Sequence, residues 1–416
     1  MTGGVRRIVA LADTDSYVKW AAALLEALPD DVETELVIVE TPLAVSAGQL
    51  RNALAGTRID PETVRRVEFG EVPAILDEAA PDAVLMASRG PVVRVLAATV
   101  ASLVPRPVIV TGLPGISIPA TTAAMLHRTQ CDLFVLHSTR EVREFTELAR
   151  HRGLAQRFAL STLPFAAVAR TADRSAGGTD LVFASQAIVP RERADRVRVA
   201  RMLVAAAAAD PTRRVVVKER AVGGEQQTHR QKYSYPDLLA TVGPVPSNLV
   251  VSHAPMLRAL DDAEGLVTVS STAAIEAVAR GVPVIVLDSF GVDDRLINPV
   301  FVGSGLFGSE DAVRERDFRM PAEGWLADNY FHDRAADDWV AQLDELVALR
   351  RGGVLAPKPA RERRGGRVRD VWERKLAFGR HDRSLAGAVV LVVGVPLRFV
   401  LRPILRPYHR RRLRAA

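Results

Sequence analysis

The predicted fold class is α/β, in two doubly wound parallel-sheet domains followed by a basic C-terminal extension. Three observations predict it. Short apolar runs alternate with amphipathic segments from Arg7 to about residue 165, the pattern of strands covered by helices on both faces. A polar, small-residue stretch at 170–179, RTADRSAGGT, then interrupts, and the alternation restarts at Asp180. Finally, charge is unevenly distributed: residues 350–416 hold 19 Lys and Arg against 4 Asp and Glu, while the remainder holds 36 against 45. At 416 residues the chain exceeds what one core ordinarily fills. The expected organisation is a Rossmann-like domain at 1–169, a linker at 170–179, a second at 180–351 and a tail at 352–416.

Apolar residues at 48% with 25% charged residues describe a folded chain rather than a disordered one. The single cysteine, Cys131, excludes an internal disulfide and a Cys-rich metal site, and cytosolic chemistry is the expectation. The N-terminal MTGGVRRIVALAD runs into a strand pattern with no apolar signal core before it. Nucleic-acid binding wants a basic face with aromatic or groove-reading elements. The body is net acidic and the chain only 5% aromatic, so no nucleic-acid partner is expected.

Arg7–Ala12 is the first strand, and the loop and helix after it carry Asp13, Asp15, Ser16 and Lys19 at a ligand-facing turn. The turn lacks G-x-G-x-x-G, so no dinucleotide fingerprint is present. Acidic residues there suit sugar hydroxyls or a general base; the alternative is that Asp13 and Asp15 cap a helix. Further strands are read at 35–40, 82–86, 106–112 and 132–136, with a helix from Pro91 to about Leu103. Gly112 and Gly115 allow the loop LPGISIPAT to bend tightly or approach a ligand. Ser138 followed by Glu141 reads as a capping box opening the next helix, just after His137, the reserve candidate for a base beside Asp15.

In the second half Asp180–Ala184 is a strand, followed by a loop bearing Gln186 and Arg191 and a long helix. Arg191 is either a cation near a ligand or a helix-surface arginine. The strand from Val215 ends in Lys218, Glu219 and Arg220, two cations suited to a diphosphate leaving group. The loop from Ala221 to Leu239 is read as flexible. His253 follows the strand Asn248–Ser252 and is either structural or beside the site. The stretch 267–287, VTVSSTAAIEAVARGVPVIVL, then reads strand, loop, helix from Thr272 to Arg280, Gly-Val-Pro turn and strand. Ser270, Ser271 and Thr272 supply hydroxyls where the helix starts, an anion-binding position, or else they merely cap it. Glu276 lies four residues in, where a carboxylate can accept from a ribose diol. Residues 292–335 are read as irregular, and 336–351 as the last amphipathic helix.

The S-S-T-A-x-x-E-A-x-x-x-G-x-P-V-I pattern of 270–285 resembles the C-terminal domain of the GT-B glycosyltransferase superfamily, close to polyglycerol-phosphate and capsule polymerases and sugar-nucleotide 2-epimerases. P-V-I-V-T-G-x-P-G at 107–115 and D-x-x-V-x-H-S at 132–138 extend the likeness, and residues 5–350 as a whole resemble an actinobacterial set of glycosyltransferase-like proteins. The resemblance implies two Rossmann-like domains with a nucleotide-activated donor in the second and an acceptor against the first. Ser271 and Thr272 would touch phosphate, Glu276 the ribose, and Arg191, Lys218, Arg220, His253 and Ser270 would complete the donor side. Relatives carry K-x-H-P or K-x-R after the second strand of that domain, which Lys218-Glu219-Arg220 matches in part. Asp13, Ser16, Gly112 and Gly115 would lie on the acceptor side, with Asp15 as general base. No D-x-D motif follows a strand of the donor half, so neither a metal nor another cofactor is expected.

In the tail, residues 352–383 are read as an Arg-rich linker or poorly ordered arm. Leu385–Leu397 is about 20 Å as a helix, short of the ~30 Å core of a bilayer. An interfacial helix at 384–416, flanked by RPILRPYHRRRLR, is the expectation, on an anionic membrane surface; a helix packed on the body is the alternative. The function expected is transfer of a sugar or alditol phosphate to a cell-envelope glycan or lipid-linked acceptor, by a cytoplasmic protein peripheral on the inner face of the plasma membrane. Rivals are a sugar-nucleotide 2-epimerase and a scaffold that kept the fold and lost the chemistry.

Overall fold

A computed structural model describes residues 6–164, 166, 177–219, 232–358, 366–390 and 392. The first sheet has the strands β1 (Arg6–Ala12), β2 (Val32–Val39), β3 (Arg65–Val67), β4 (Ala83–Ala87), β5 (Val108–Gly112), β6 (Leu133–Leu136) and β7 (Arg157–Leu160), in the order β3-β2-β1-β4-β5-β6-β7. The second has β8 (Asp180–Ala184), β9 (Val215–Lys218), β10 (Leu249–Ser252), β11 (Ala263–Thr268), β12 (Val284–Leu287) and β13 (Phe307–Gly308), in the order β10-β9-β8-β11-β12-β13. Pairing is parallel from β3 to β5 and throughout the second sheet. Central strands are buried on both faces, which is why β4, β12 and, from Leu181, β8 read as unbroken apolar runs.

Both sheets are α/β and doubly wound, as expected. In the second, Leu181 and Phe183 face a core with the Arg193–Ala209 helix, whereas Val182 and Ala184 face another with the Ala273–Ala279 helix. The connections from β8 and from β11 therefore run over opposite faces. The two strands are neighbours, so a topological switch point opens at their carboxyl ends. Adjacent β1 and β4 make the same switch in the first sheet.

By packing, the chain forms two compact units. One is Met1–Gly112, Ala123–Phe134 and Leu343–Ala416; the other is Leu113–Thr122 and Val135–Gln342. Specific interactions explain these limits. In the first unit Asp82, beside β4, accepts from Arg350 and Arg351 at 2.7 Å each and from the Arg7 backbone. Burial raises its pKa, but these donors outweigh it and leave the carboxyl below its usual value. In the second, Ile118, Leu163 and Ala166 pack with Phe301, Trp325 and Tyr330.

The structure corrects several expectations. Residues 352–383 are not simply a linker: Gly366–Phe378 is a helix whose Phe378 is fully buried in the first unit's core, its ring 4.6 Å from that of Phe69 in a tilted contact. Glu373 pairs with Arg94 at 3.3 Å. The stretch 292–335 contains the helices Glu310–Glu315 and Glu323–Asp328 as well as β13. Within the supposedly flexible loop before residue 239, Tyr235–Leu239 is helical with Tyr235 fully buried. Residues 170–176 and Arg220 lie outside the described residues. No helix among the described residues is long and apolar enough to cross a membrane.

Replacing Phe378 with Ala should lower unfolding stability by about 3–5 kcal/mol, the cost of emptying a buried aromatic site. Chemical denaturation of the full chain measures it; an unchanged midpoint would mean that the Gly366–Phe378 helix does not hold the core.

Candidate functional site

The second sheet's switch point brings Gln186, two residues past β8, against Ser270, two residues past β11. The Gln186 carboxamide accepts from the Ser270 backbone N–H at 2.9 Å and donates to Ser270 Oγ at 3.1 Å. Thr268 Oγ1 donates to Ala184 O at 3.2 Å and accepts from Ser271 N–H at the same distance. Ser271 Oγ accepts from Ala273 N–H at 3.2 Å. Side chains thus satisfy amides expected to be free for an anion: those of Ser270, Ser271 and Ala273. Ser271 and Thr272 are half-buried, and Thr272 is the N-cap position without a side-chain capping bond. Glu276 stands one turn into the Ala273–Ala279 helix, half-buried among buried apolar neighbours. Gly281 ends this unit at φ +68°, the left-handed exit read from the sequence.

The loop after β5 belongs to the same unit. A Cβ on Gly115 would stand 3.0 Å from Thr272 Cγ2, so glycine there permits close packing on the 270–272 turn. The loop is held by Glu141, a fully buried carboxylate that accepts from Ser117 N–H at 2.9 Å, His137 N–H at 2.8 Å and Tyr330 hydroxyl at 2.5 Å. Ser138 Oγ does accept from Glu141 N–H. The expected capping box is corrected, however: the Glu141 carboxylate binds the His137 amide and the loop. Burial, the nearby Glu141 charge and this hydrogen bond raise the Tyr330 phenol well above its usual pKa.

Other expected donor residues are placed less favourably. Lys218 is buried and gives its ammonium to Glu219 O, so it does not present an exposed cation. Arg191 is exposed. His253 is exposed beyond β10, the far edge strand, two strands from β8. A buried cation behind the 186–190 loop is Arg196, on the Arg193–Ala209 helix, which the sequence reading passed over. It donates to Pro190 O, Tyr233 O, Gln186 O and Ala187 O at 2.7–3.2 Å. Burial lowers its pKa, opposed by Tyr235 and Glu219. The arginine-rich run RERADRVR offered four candidates, and the 3.6-residue period of the helix places this one against Val199, Ala200 and Leu203 on the buried side.

At the first sheet's switch point Asp13 follows β1 and Arg89 follows β4. Asp13 accepts from Arg89 Nε at 2.7 Å and from its backbone N–H at 3.1 Å, and Arg89 reaches Thr41 Oγ1 past β2 at 3.2 Å. Burial raises the Asp13 pKa despite the Arg89 charge. Asp13 is thus an ion-pair partner, not a helix cap; the N-cap is Thr14. Asp15 and Ser16 open the Asp15–Glu26 helix, half-buried, and Ser16 Oγ lies 3.5 Å from Asp15 Oδ1. Gly112 ends β5, buried. His137 is fully buried with Nδ1 2.9 Å from Ser161 O, and burial lowers its pKa. It has no surface to offer a substrate, so the structure corrects its candidacy as reserve base.

Two doubly wound sheets in one chain, each with polar side chains at its switch point, define the GT-B fold class. Solved structures with this fold align over most of the chain. S. aureus MnaA in a UDP co-structure is 12% identical with a TM-score of 0.54, covering 85% of this chain and 99% of that one. A Listeria monocytogenes protein described as a putative UDP-N-acetylglucosamine 2-epimerase gives 12% and 0.55, covering 86% and 99%. The Methanocaldococcus jannaschii UDP-GlcNAc 2-epimerase in complex with UDP-GlcNAc and UDP gives 11% and 0.53, covering 82% and 99%. No curated protein matches the sequence. The chain belongs to the family described as "Putative glycosyltransferase (DUF6716)", whose model matches residues 8–346.

Glu141→Ala should leave the Ser117 and His137 amides without their acceptor. Each lost bond is worth about 1–3 kcal/mol, so their hydrogen exchange should quicken about 5- to 150-fold. Unchanged rates would show that the loop does not depend on the carboxylate.

Proposed function

We propose that the protein is a GT-B glycosyltransferase that moves a sugar or alditol phosphate from a nucleotide-activated donor to a cell-envelope glycan or lipid-linked acceptor. The observation that carries this is the β8/β11 switch point, where Ser270, Ser271, Thr272 and Glu276 gather on one turn of a GT-B sheet. Ser271 and Thr272 would meet the diphosphate and Glu276 the ribose hydroxyls. Breaking the sugar–phosphate bond builds charge on the leaving diphosphate, which hydroxyl donors can stabilise without a metal. Lys218, Arg191, Arg220 and His253 remain on the proposed donor side, Lys218 only after its ammonium leaves Glu219 O. Asp15, half-buried on the first turn of its helix, is proposed as general base on an acceptor bound at the first sheet, beside Asp13, Ser16 and Gly112; Gly115, packed on the 270–272 turn, falls instead in the unit of the proposed donor site. Domain limits of 1–169 and 180–351 accompany this reading, with 352–416 as the basic extension.

The fold likeness to UDP-GlcNAc 2-epimerases supports a second reading, epimerisation of a nucleotide sugar. The two differ in product: an epimerase returns an intact nucleotide sugar, whereas a transferase releases nucleotide when acceptor is supplied. Wild-type protein should gain about 2.7 kcal/mol of stability from the right nucleotide at 100 times its dissociation constant. Thermal-shift screening of nucleoside diphosphates, nucleotide sugars and CDP-alditols reads this, and Glu276→Ala should abolish it. Stabilisation by none of them would leave the scaffold reading.

We further propose that residues 384–416 rest on an anionic membrane surface at the cytoplasmic side of the plasma membrane. Residues 385–390 are helical, and Leu385, Val389 and Val392 are 86%, 62% and 73% exposed. Their i, i+4, i+7 spacing makes one apolar stripe, with exposed Arg380 and Arg383 just before it. The protein should float with vesicles containing phosphatidylglycerol and not with phosphatidylcholine alone, and Leu385→Asp with Val389→Asp should abolish flotation. Flotation unaffected by the double substitution would reject the stripe.

A further inference from the structure

We infer that Arg196 and Gln186 together are the positioning residues of the proposed donor site, so that a buried guanidinium touching no ligand determines its shape. The inference rests on the donor reading above and adds the machinery behind it. Arg196 is 1% exposed. Its Nε donates to Pro190 O at 2.8 Å, and one terminal nitrogen donates to both Gln186 O at 2.8 Å and Ala187 O at 2.7 Å. The other reaches Tyr233 O at 3.2 Å, on the segment leading into the Tyr235–Leu239 helix. One planar fork therefore gathers both ends of the 186–190 loop and a second segment. The guanidinium also lies 5.7 Å from the centre of the Tyr235 ring. Five donors in a fixed plane suit that task, whereas a lysine presents its donors from a single point.

What the loop carries gives the arrangement its purpose. The backbone of Gln186 is fixed by Arg196, and its side chain reaches across the switch point to Ser270. There it takes the backbone N–H at 2.9 Å and donates to the hydroxyl at 3.1 Å. Ser270 is followed directly by Ser271 and Thr272. The chain of positions is Arg196 to Gln186 to Ser270 to the hydroxyls proposed for the diphosphate. A carboxamide suits the middle place because it offers one acceptor and two donors without charge. A carboxylate there would repel the anion.

The test combines Arg196→Lys, Gln186→Ala and the double variant in the full chain, with two readouts. In ligand-free protein, exchange of the Ser270 amide should rise about fivefold or more in each single variant. The double variant should show no further rise, the signature of a serial link. Because Gln186 is only half-buried, its variant remains folded and informative if Arg196→Lys does not. In calorimetric titration with UDP, or with the nucleotide found above, both single variants should bind about tenfold more weakly, again without additivity. A merely structural arginine would lower stability while leaving Ser270 exchange and nucleotide affinity of the folded fraction unchanged, and that result overturns the inference. Additive effects overturn it as well. Coupled exchange in a wild type that binds no nucleotide would overturn the donor reading, and with it the assignment of this link to a donor site.

Discussion

The second unit depends on how the gap between β8 and β11 is closed. Neighbouring parallel strands whose connections leave over opposite faces separate at their carboxyl ends, and backbone groups there lose the partners the sheet supplied lower down. The molecule answers with side chains. Thr268 Oγ1 bonds Ala184 O across the gap, Gln186 bonds Ser270, and Arg196 saturates the carbonyls of the loop that carries Gln186. Each is short or planar, and each satisfies a backbone group that burial would otherwise leave unpaired. The turn at 270–272 is consequently well determined yet partly open, as a site must be if it is to bind without reorganising.

The first sheet meets the same constraint with charge. Asp13 and Arg89 close the β1/β4 gap, and Thr41 extends the pair toward β2. Burial works against the Asp13 carboxylate, and Arg89, aided by the nearby Arg128 charge, holds it there, so breaking the pair by removing either partner is costly. The chemical difference between the gaps matches their proposed ligands. Neutral hydroxyls and an amide adapt to a multiply charged diphosphate, while a fixed ion pair beside the half-buried Asp15 suits uncharged hydroxyls. Glu141 links the β5 loop to the 270–272 turn's unit without a basic partner among its hydrogen bonds, relying on two backbone amides and a phenol. Several donors converging on one carboxylate can stand in for a counter-ion.

Much of this was legible in the sequence, for physical reasons. Central strands are buried on both faces and read as continuous apolar runs, so β1, β4, β5, β8 and β12 could be placed to within a residue or two. Two of the edge strands could not: β3, with two exposed arginines, and β13, with two residues, bury too little to leave a pattern, whereas β10, also at an edge, was read to within a residue. The turn at 270–272 was visible because Ser-Ser-Thr before a helix and Gly-Val-Pro after it are local signals. Arg196 was invisible because its partners are backbone carbonyls, which carry no residue identity, and because burial of one arginine among several is a matter of helical phase. His137 erred in the opposite direction. A histidine after a strand suggests chemistry, yet its packing under Ser161 is a tertiary fact.

The tail shows how a charge count can mislead about structure while remaining right about sign. A block with 19 basic residues against 4 acidic ones looks like a solvated arm. Much of its first part is instead engaged: Arg350 and Arg351 with Asp82, Lys358 with Asp132, Arg369 with Glu373 and Arg374 with Asp382. Together with the burial of Phe378, the pairs to Asp82 and Asp132 build an anchor rather than a flexible tether. The anchor fixes where the apolar stripe begins, since Asp382 and Ser384 order the turn before it and Ser384 Oγ accepts from Gly387 N–H at 3.1 Å. A stripe held at a defined place on a folded unit loses less conformational freedom on docking than the same residues on a disordered arm. That difference would let a short apolar helix with few cations suffice for the proposed attachment, where a free tail of equal composition would need more of both.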